Sequence, residues 1–396
     1  MTAALAPNMQ ANERTPLVDE WLLATFVLLA VMGLVMMGSA SMEYASQQYD
    51  NPFYHVMRHT VFLGIGLTGT LIFACVPMRF WEKYSGVLLA LGFLSLVLVL
   101  IPGIGHVVNG SRRWISLGVL NLQCSELIKI AVVLYIAAYL VRREDEVRLQ
   151  WRGFIKPLVV MSGLIVLLLL EPDFGAVVVV LGAVLGMLFL GGVRLTQFFV
   201  VILVSLVAIG LMATLAPYRL KRMATFVDPW PHQFDSGYQL VQSLIAFGRG
   251  EWFGLGLGRS VQKMFYLPEA HTDFVFAIVG EELGFVGALA VIVLFAVLIG
   301  RMLVIGRRAE RLQQKFSAYV CYGVALIFGG QTFINMGVNA GLLPTKGLTL
   351  PFFSYGGSSL LVSCVLVGLV LRVAIEIGSD TEVVGKESQR FGIKTR

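Results

Sequence analysis

The chain has 396 residues, of which 57% are hydrophobic and only 14% charged, and its mean hydropathy is positive. So much apolar surface does not fit inside one soluble core, which excludes an ordinary soluble globular protein. The formal charge of +6 matters less than its placement: basic residues gather at 142–156, at 301–315 and after Arg372, and the positive-inside rule assigns all three clusters to the cytoplasm.

Apolar runs of about 17–25 residues, the length that spans a bilayer as a helix, recur from end to end. They predict an all-α integral membrane protein with about ten transmembrane helices, over 21–41, 57–76, 84–102, 125–141, 155–171, 174–191, 195–215, 272–300, 316–339 and 356–377. An even number of crossings puts both termini in the cytoplasm, on the side of the three basic clusters. Residues 1–20 are then a cytoplasmic N-terminal tail, 21–377 the membrane domain and 378–396 a polar cytoplasmic tail. The first apolar run has no small-residue cleavage signature and reads as a retained helix. Cys75, Cys124, Cys321 and Cys364 lie in or beside apolar runs without metal-binding spacings, so they read as small packing residues.

The outward segments carry the polar residues. Between the third and fourth helices, PGIGHVVNGSRRWISLGVLNLQCSE is turn-rich and brings Arg112 and Arg113, followed by Glu126 and Lys129 inside the next apolar run. Those last two, at i and i+3, share a helix face and can pair, which lowers the cost of burying either. Helices five and six are joined by EPDFG, a tight turn that holds Glu171 and Asp173 near the membrane surface, either as solvated turn residues or to position a polar headgroup.

The longest connection, 216–271, forms one long outer loop, with a short helix expected from Tyr238 to Phe247. Arg219, Lys221, Arg222, Arg249, Arg259 and Lys263 make it basic. That is either a solvated surface or an attraction for an anionic ligand. GLGLGR at 254–259 neither follows a strand nor opens a nucleotide-binding unit.

The stretch MFYLPEAHTDFVFAIVGEELGFVG, 264–287, sets Glu269, His271 and Asp273 at the mouth of an apolar run that then carries Glu281 and Glu282. A carboxylate costs roughly 2.5–3.5 kcal/mol at the centre of a membrane helix, so acids here need a partner, a wet cavity or a task. Adjacent on a helix, Glu281 and Glu282 cannot face the same way, and at most one is expected to line a cavity. The last outer loop, NAGLLPTKGLTLPFFSYGGSS, is dense in proline, glycine and hydroxyls around Lys346, and non-helical backbone at this depth requires protein or water around it.

In this order, GSRRWISLGVLNLQCSELIK, EPDFG, SGYQLVQSLIAFGRGEWFGLGLGRSVQK, LPEAHTDFVFAIVGEELG and GLLPTKGLTLPFFSYGGSS resemble the SEDS family of bacterial cell-wall polymerases, from the first helix to the tenth. The lysine of LPTKGLTLPF resembles the cell-division branch more than the elongation branch. One departure is Cys124, where the family usually has a helix-starting proline.

The resemblance implies a peptidoglycan glycosyltransferase that polymerises lipid II on the outer side of the bacterial inner membrane, at the division septum. It implies Asp273 as the essential acid, and as partners a class B penicillin-binding protein transpeptidase and other divisome membrane proteins, with no nucleic acid. In such chemistry Asp273 is the general base on the acceptor hydroxyl. Lys346, Lys129, Arg112 and Arg113 are candidates to meet the departing pyrophosphate, a task that a divalent cation such as magnesium or manganese could share, although no ligand spacing points to one. Glu269 and Glu282 are candidates to tune Asp273, Glu126 to pair with Lys129, and Ser354 and Ser358 to line a headgroup site or pack helices closely. His271 reads as an interface residue. A lipid flippase and a non-catalytic scaffold for the transpeptidase are the rival functions.

Overall fold

The structure, a computed structural model, describes residues 19–108, 111–116, 118, 121–214, 226, 228–345 and 347–390. Among them ten long helices answer the ten expected spans one for one: α1 (Glu20–Tyr49), α2 (Tyr54–Cys75), α3 (Met78–Leu100), α4 (Cys124–Arg142), α6 (Trp151–Leu170), α7 (Phe174–Leu190), α8 (Leu195–Thr214), α10 (Val275–Arg311), α11 (Lys315–Asn339) and α12 (Gly357–Arg390). Two shorter ones, α5 (Glu144–Leu149) and α9 (Tyr238–Gly250), lie between them. Eight of the ten are long and apolar enough to cross a membrane, and α7 is an apolar helix of 17 residues.

Helices α4, α11 and α12 form the centre, with 78%, 72% and 72% of their most apolar stretches buried, against 22% for α2 and α3 at the edge. A helix apolar all round suits either place, since lipid and packed protein are both apolar surroundings. The ends expected in the cytoplasm meet through charge. Asp19 caps α1 by accepting from Leu22 N at 3.0 Å and also binds Arg301 of α10, and Lys315 of α11 reaches Glu144 of α5 at 2.6 Å.

Three elements differ from expectation. Helix α10 has 37 residues where 272–300 is expected; it is interrupted at Gly284, and the stretch from 285 to 311, at 1.5 Å per residue, is about 40 Å long, beyond a ~30 Å hydrocarbon core. Arg301 does not end it, because Asp19 neutralises that charge and the projecting turns are free to continue in water. Helix α12 likewise runs on to Arg390, past its apolar part, which ends at Ser379. The outer connection between α3 and α4 contains a small antiparallel sheet, β1 (Gly105–Val108), β2 (Ser111–Ser116) and β3 (Asn121–Gln123), in that spatial order.

The short helix expected over 238–247 is α9, and the chain after it docks into a break in α10. Gly284 there has φ +68°, and the interrupted turn is bridged by the 251–256 backbone: Leu255 N and Gly256 N donate to the carbonyls of Glu281 and Glu282 at 3.0 Å each, and Glu251 O accepts from Phe285 N at 2.8 Å. The Gly254 main chain, at φ +78°, sits against Glu282 and Gly284 backbone with no room for a side chain. This close approach accounts for the first glycine of GLGLGR; Gly256 and Gly258 answer instead to their positive φ of +99° and +82°.

Candidate active site

The outer ends of α4, α7, α10 and α11 converge with the sheet and the last outer loop. Asp273 stands at the entry to α10, delivered by a tight turn in which Glu269 takes a left-handed φ of +59°, its carbonyl accepts from Thr272 N and Phe274 N, and its carboxylate accepts from the Thr272 hydroxyl at 2.6 Å. Phe274 then buries itself and starts the apolar face of the helix.

Asp273 is partly covered, and among the described residues no donor hydrogen-bonds its carboxylate. Burial pushes its pKa up to about 7, with Glu269 and then Asp173 adding to the rise and Arg113 opposing it. The Gly347 main chain lies directly against the carboxylate. Behind it, Asn335 and Asn339 of α11 both donate to the Asp273 carbonyl, at 2.9 Å each.

The EPDFG turn is packed into the protein. Asp173 caps α7 through Ala176 N and accepts from the Ser125 hydroxyl at 2.7 Å. Glu171 is fully buried, and among the described residues neither carboxyl oxygen has a hydrogen-bond partner; burial pushes its pKa up to about 8, Asp173 adding and Arg113 opposing. It is therefore neutral at pH 7, a form that burial in apolar surroundings favours.

Successive residues of a strand point to opposite faces, and that separates the arginine pair. Arg113 reaches the Glu171 and Pro172 carbonyls at 2.9 and 2.7 Å, whereas Arg112 turns back to the Leu100 carbonyl ending α3. Of the two arginines, Arg113 is the one whose charge acts on the Asp273 carboxyl. Glu126 and Lys129 do pair, at 2.7 Å, both buried in α4, and Lys129 also reaches Gln331 at 2.9 Å. Ser358 bonds the main chain of Asn121 and Gln123 and so joins the start of α12 to β3, while Ser354 accepts from Leu350 N within its own loop. Lys346 lies outside the described residues.

Glu282 faces away from this group. It holds Lys263 at 2.7 Å and Ser39 at 2.8 Å, while Glu281, equally buried, takes Arg249, the Ser260 hydroxyl and the amides of Val261 and Gln262. The two carboxylates anchor the 249–263 segment on α10. His271 stacks on His55 and meets the Tyr44 ring at a tilt, at 5.2 and 4.9 Å between ring centroids, and burial lowers its pKa to about 4, which keeps it neutral.

Among the described residues no three His, Cys, Asp or Glu side chains converge as metal ligands. A cavity of about 540 Å³ bordered by Arg79, Glu82, Lys315 and Glu376 opens at the inner helix ends, on the opposite side from Asp273.

Gln331, Asn335 and Asn339 were not singled out from the sequence. Their signal is there in QTFINMGVN: three carboxamides at four-residue spacing in an apolar run, hence on one helix face.

Fold and site together define a polytopic helical membrane protein, eight of whose described helices are long and apolar enough to cross a bilayer, with a carboxylate site at one end of the helix bundle. The family model described as cell cycle protein, for FtsW, RodA and SpoVE, matches residues 19–378, and the chain belongs to that family. It is 53% identical over 382 residues to the probable peptidoglycan glycosyltransferase FtsW of Hahella chejuensis, covering 96% of each chain. It is 53% identical over 358 residues to the protein of the same name from Coxiella burnetii, covering 90% of this chain and 96% of that one. Among solved structures it is similar to a chain from a peptidoglycan synthase complex that coordinates polymerization and crosslinking, with TM-score 0.76, 30% identity and coverage of 91% of this chain and 98% of that one. It is also similar to the Thermus thermophilus rod shape determining protein RodA, with TM-score 0.66, 29% identity and coverage of 93% and 98%.

Proposed function

We propose that this protein is a peptidoglycan glycosyltransferase that joins lipid II units into glycan strands at the outer face of the cytoplasmic membrane, for septal wall synthesis. Asp273 acts as the general base. The acceptor sugar's 4-hydroxyl attacks the anomeric carbon of the donor, its proton passes to the Asp273 carboxylate, and the bond from that carbon to the lipid pyrophosphate breaks, the electron pair leaving with undecaprenyl pyrophosphate. A positioned base contributes roughly 10²–10⁴-fold to such a step, most effectively with a pKa near the working pH.

The observation that carries this reading is the state of Asp273: an outer-face carboxylate with no hydrogen-bond donor among the described residues and a pKa raised to about 7. Arg113 and Lys346 are assigned to the departing pyrophosphate, the first because it already opposes the rise in the Asp273 pKa, the second by its place beside Gly347. Lys129 and Glu126 neutralise each other, and their part is to brace α4 against α11. The solved relative from a synthase complex supports a transpeptidase of the penicillin-binding class as partner.

The deep Glu126–Lys129 pair is the one feature that also suits a lipid II transporter. Purified wild type and Asp273→Asn, each with its transpeptidase partner, separate the two. The expected result is glycan polymer from lipid II with the wild type and none with the variant, which still binds the partner. Polymer from Asp273→Asn removes the base; lipid II crossing between leaflets without polymer favours transport.

A further inference from the structure

The carboxamides of α11 form a ladder that nothing in the proposed chemistry yet uses. Asn335 is 1% exposed and Asn339 is fully buried. The Asn335 Nδ2 group has two hydrogens and two acceptors, the Asp273 carbonyl at 2.9 Å and the Leu348 carbonyl at 2.5 Å, so one side chain links the main chain of the base to the loop that lies against its carboxylate.

The neighbouring rungs fix that link. Asn339 donates to the same Asp273 carbonyl and to the Asn335 carbonyl, at 2.9 Å each, and its own oxygen accepts from Ala277 N at 3.0 Å in the first turn of α10. One turn the other way, Gln331 accepts from Lys129 and donates to the Thr349 carbonyl at 2.9 Å, the residue after Leu348. The buried ion pair of α4 is thereby tied to the same loop. Among the described residues the side-chain oxygen Oδ1 of Asn335 has no partner. Only its N–H donors are engaged, and turning the amide over would set an oxygen against two carbonyl oxygens.

We propose that Asn335 is a positioning residue for Asp273: by bonding Asp273 and Leu348 with one amide it fixes the distance between the carboxylate and the 347–349 main chain, and hence where the acceptor hydroxyl meets the base. This rests on Asp273 being the base. Misplacing a reacting group by about 1 Å can cost on the order of 10²-fold in rate.

The test is Asn335→Leu, similar in volume and at home in an apolar helix, assayed on purified lipid II with the partner transpeptidase and with Asp273→Asn beside it. The expected result is kcat per folded molecule reduced about 10–100-fold, KM for lipid II nearly unchanged, and faster hydrogen exchange at 347–350. Asn335→Gln, which keeps both donors on a longer arm, is expected to recover part of kcat, and the same measurements on it carry the test if Asn335→Leu does not accumulate. Unchanged kcat, a rise in KM alone, or a loss confined to yield and thermal midpoint overturns the proposal. If that happens while Asp273→Asn is inactive, only the positioning role falls; polymer from Asp273→Asn brings down the general-base reading itself.

Discussion

A Cβ built on Gly347 would stand 2.9 Å from Oδ2 of Asp273, closer than real side chains approach. The glycine lets main chain and carboxylate touch, and its exposure leaves the rest of the residue facing the outer side. Gly347→Ala is therefore expected to fold normally but to push the carboxylate aside by a few tenths of an ångström, lowering the polymerisation rate about 10-fold or more. Lipid II turnover by the purified variant, compared at matched folded concentration, checks this; a wild-type rate would mean the contact is incidental.

Asp273 must be ionised to take a proton, and its pKa is raised to about 7 chiefly by burial. The rate should therefore rise through an acid limb centred near pH 7 and flatten above it, whereas an ordinary aspartate would place that limb near pH 4. Stability runs the other way. A carboxyl whose folded pKa is raised binds more protons folded than unfolded, so its contribution is greatest at low pH and is lost as pH rises from about 4 to about 7. A pH profile of kcat/KM, measured with lipid II well below saturation in one detergent, reports the free enzyme's base and would contradict this if its midpoint fell below 5.

What could be read from the sequence was whatever hydropathy and motif carry locally. The ten apolar runs each became a helix, and Glu126 and Lys129 paired as i, i+3 spacing requires. Facts set by distant partners were not legible. Nothing local says that Arg113 would hold the EPDFG carbonyls while Arg112 turned to α3, because β2 only acquires faces once it pairs with β1 and β3. Nor does the sequence give Glu282 to Lys263 and Ser39, or put Gly254 into the break at Gly284; both depend on the outer loop folding back onto α10. The carboxamide ladder lay in between: its four-residue period is visible, its acceptors are not.

Glu171 offers a test of burial apart from catalysis. Its carboxyl is fully enclosed, has no hydrogen-bond partner among the described residues, and has its pKa pushed up to about 8 by burial. Glu171→Gln keeps the shape and never ionises, so its thermal midpoint relative to the wild type should climb as pH rises from about 4.5 to about 8, the range in which the unfolded acid has ionised and the buried one has not, and level off above. A variant less stable than wild type at pH 9 would mean that the ionised form has a partner.

The Lys263–Glu282 pair, with side chains 8% and 0% exposed, joins the outer loop to α10 at 2.7 Å. Two buried opposite charges add little net stability over an apolar pair, but removing one strands the other, typically at about 3–5 kcal/mol. Lys263→Met should therefore lower the thermal midpoint sharply, since Ser39 and the Ser260 amide are the donors left to Glu282. Glu282→Gln should do the same by stranding Lys263. The double variant should recover at least half of the larger loss, because neither charge is then buried alone. Thermal unfolding of all four proteins in one detergent decides it: if the double variant loses the sum of the single losses, the two residues are not coupled and the loop is held mainly by its backbone bonds to 281–286.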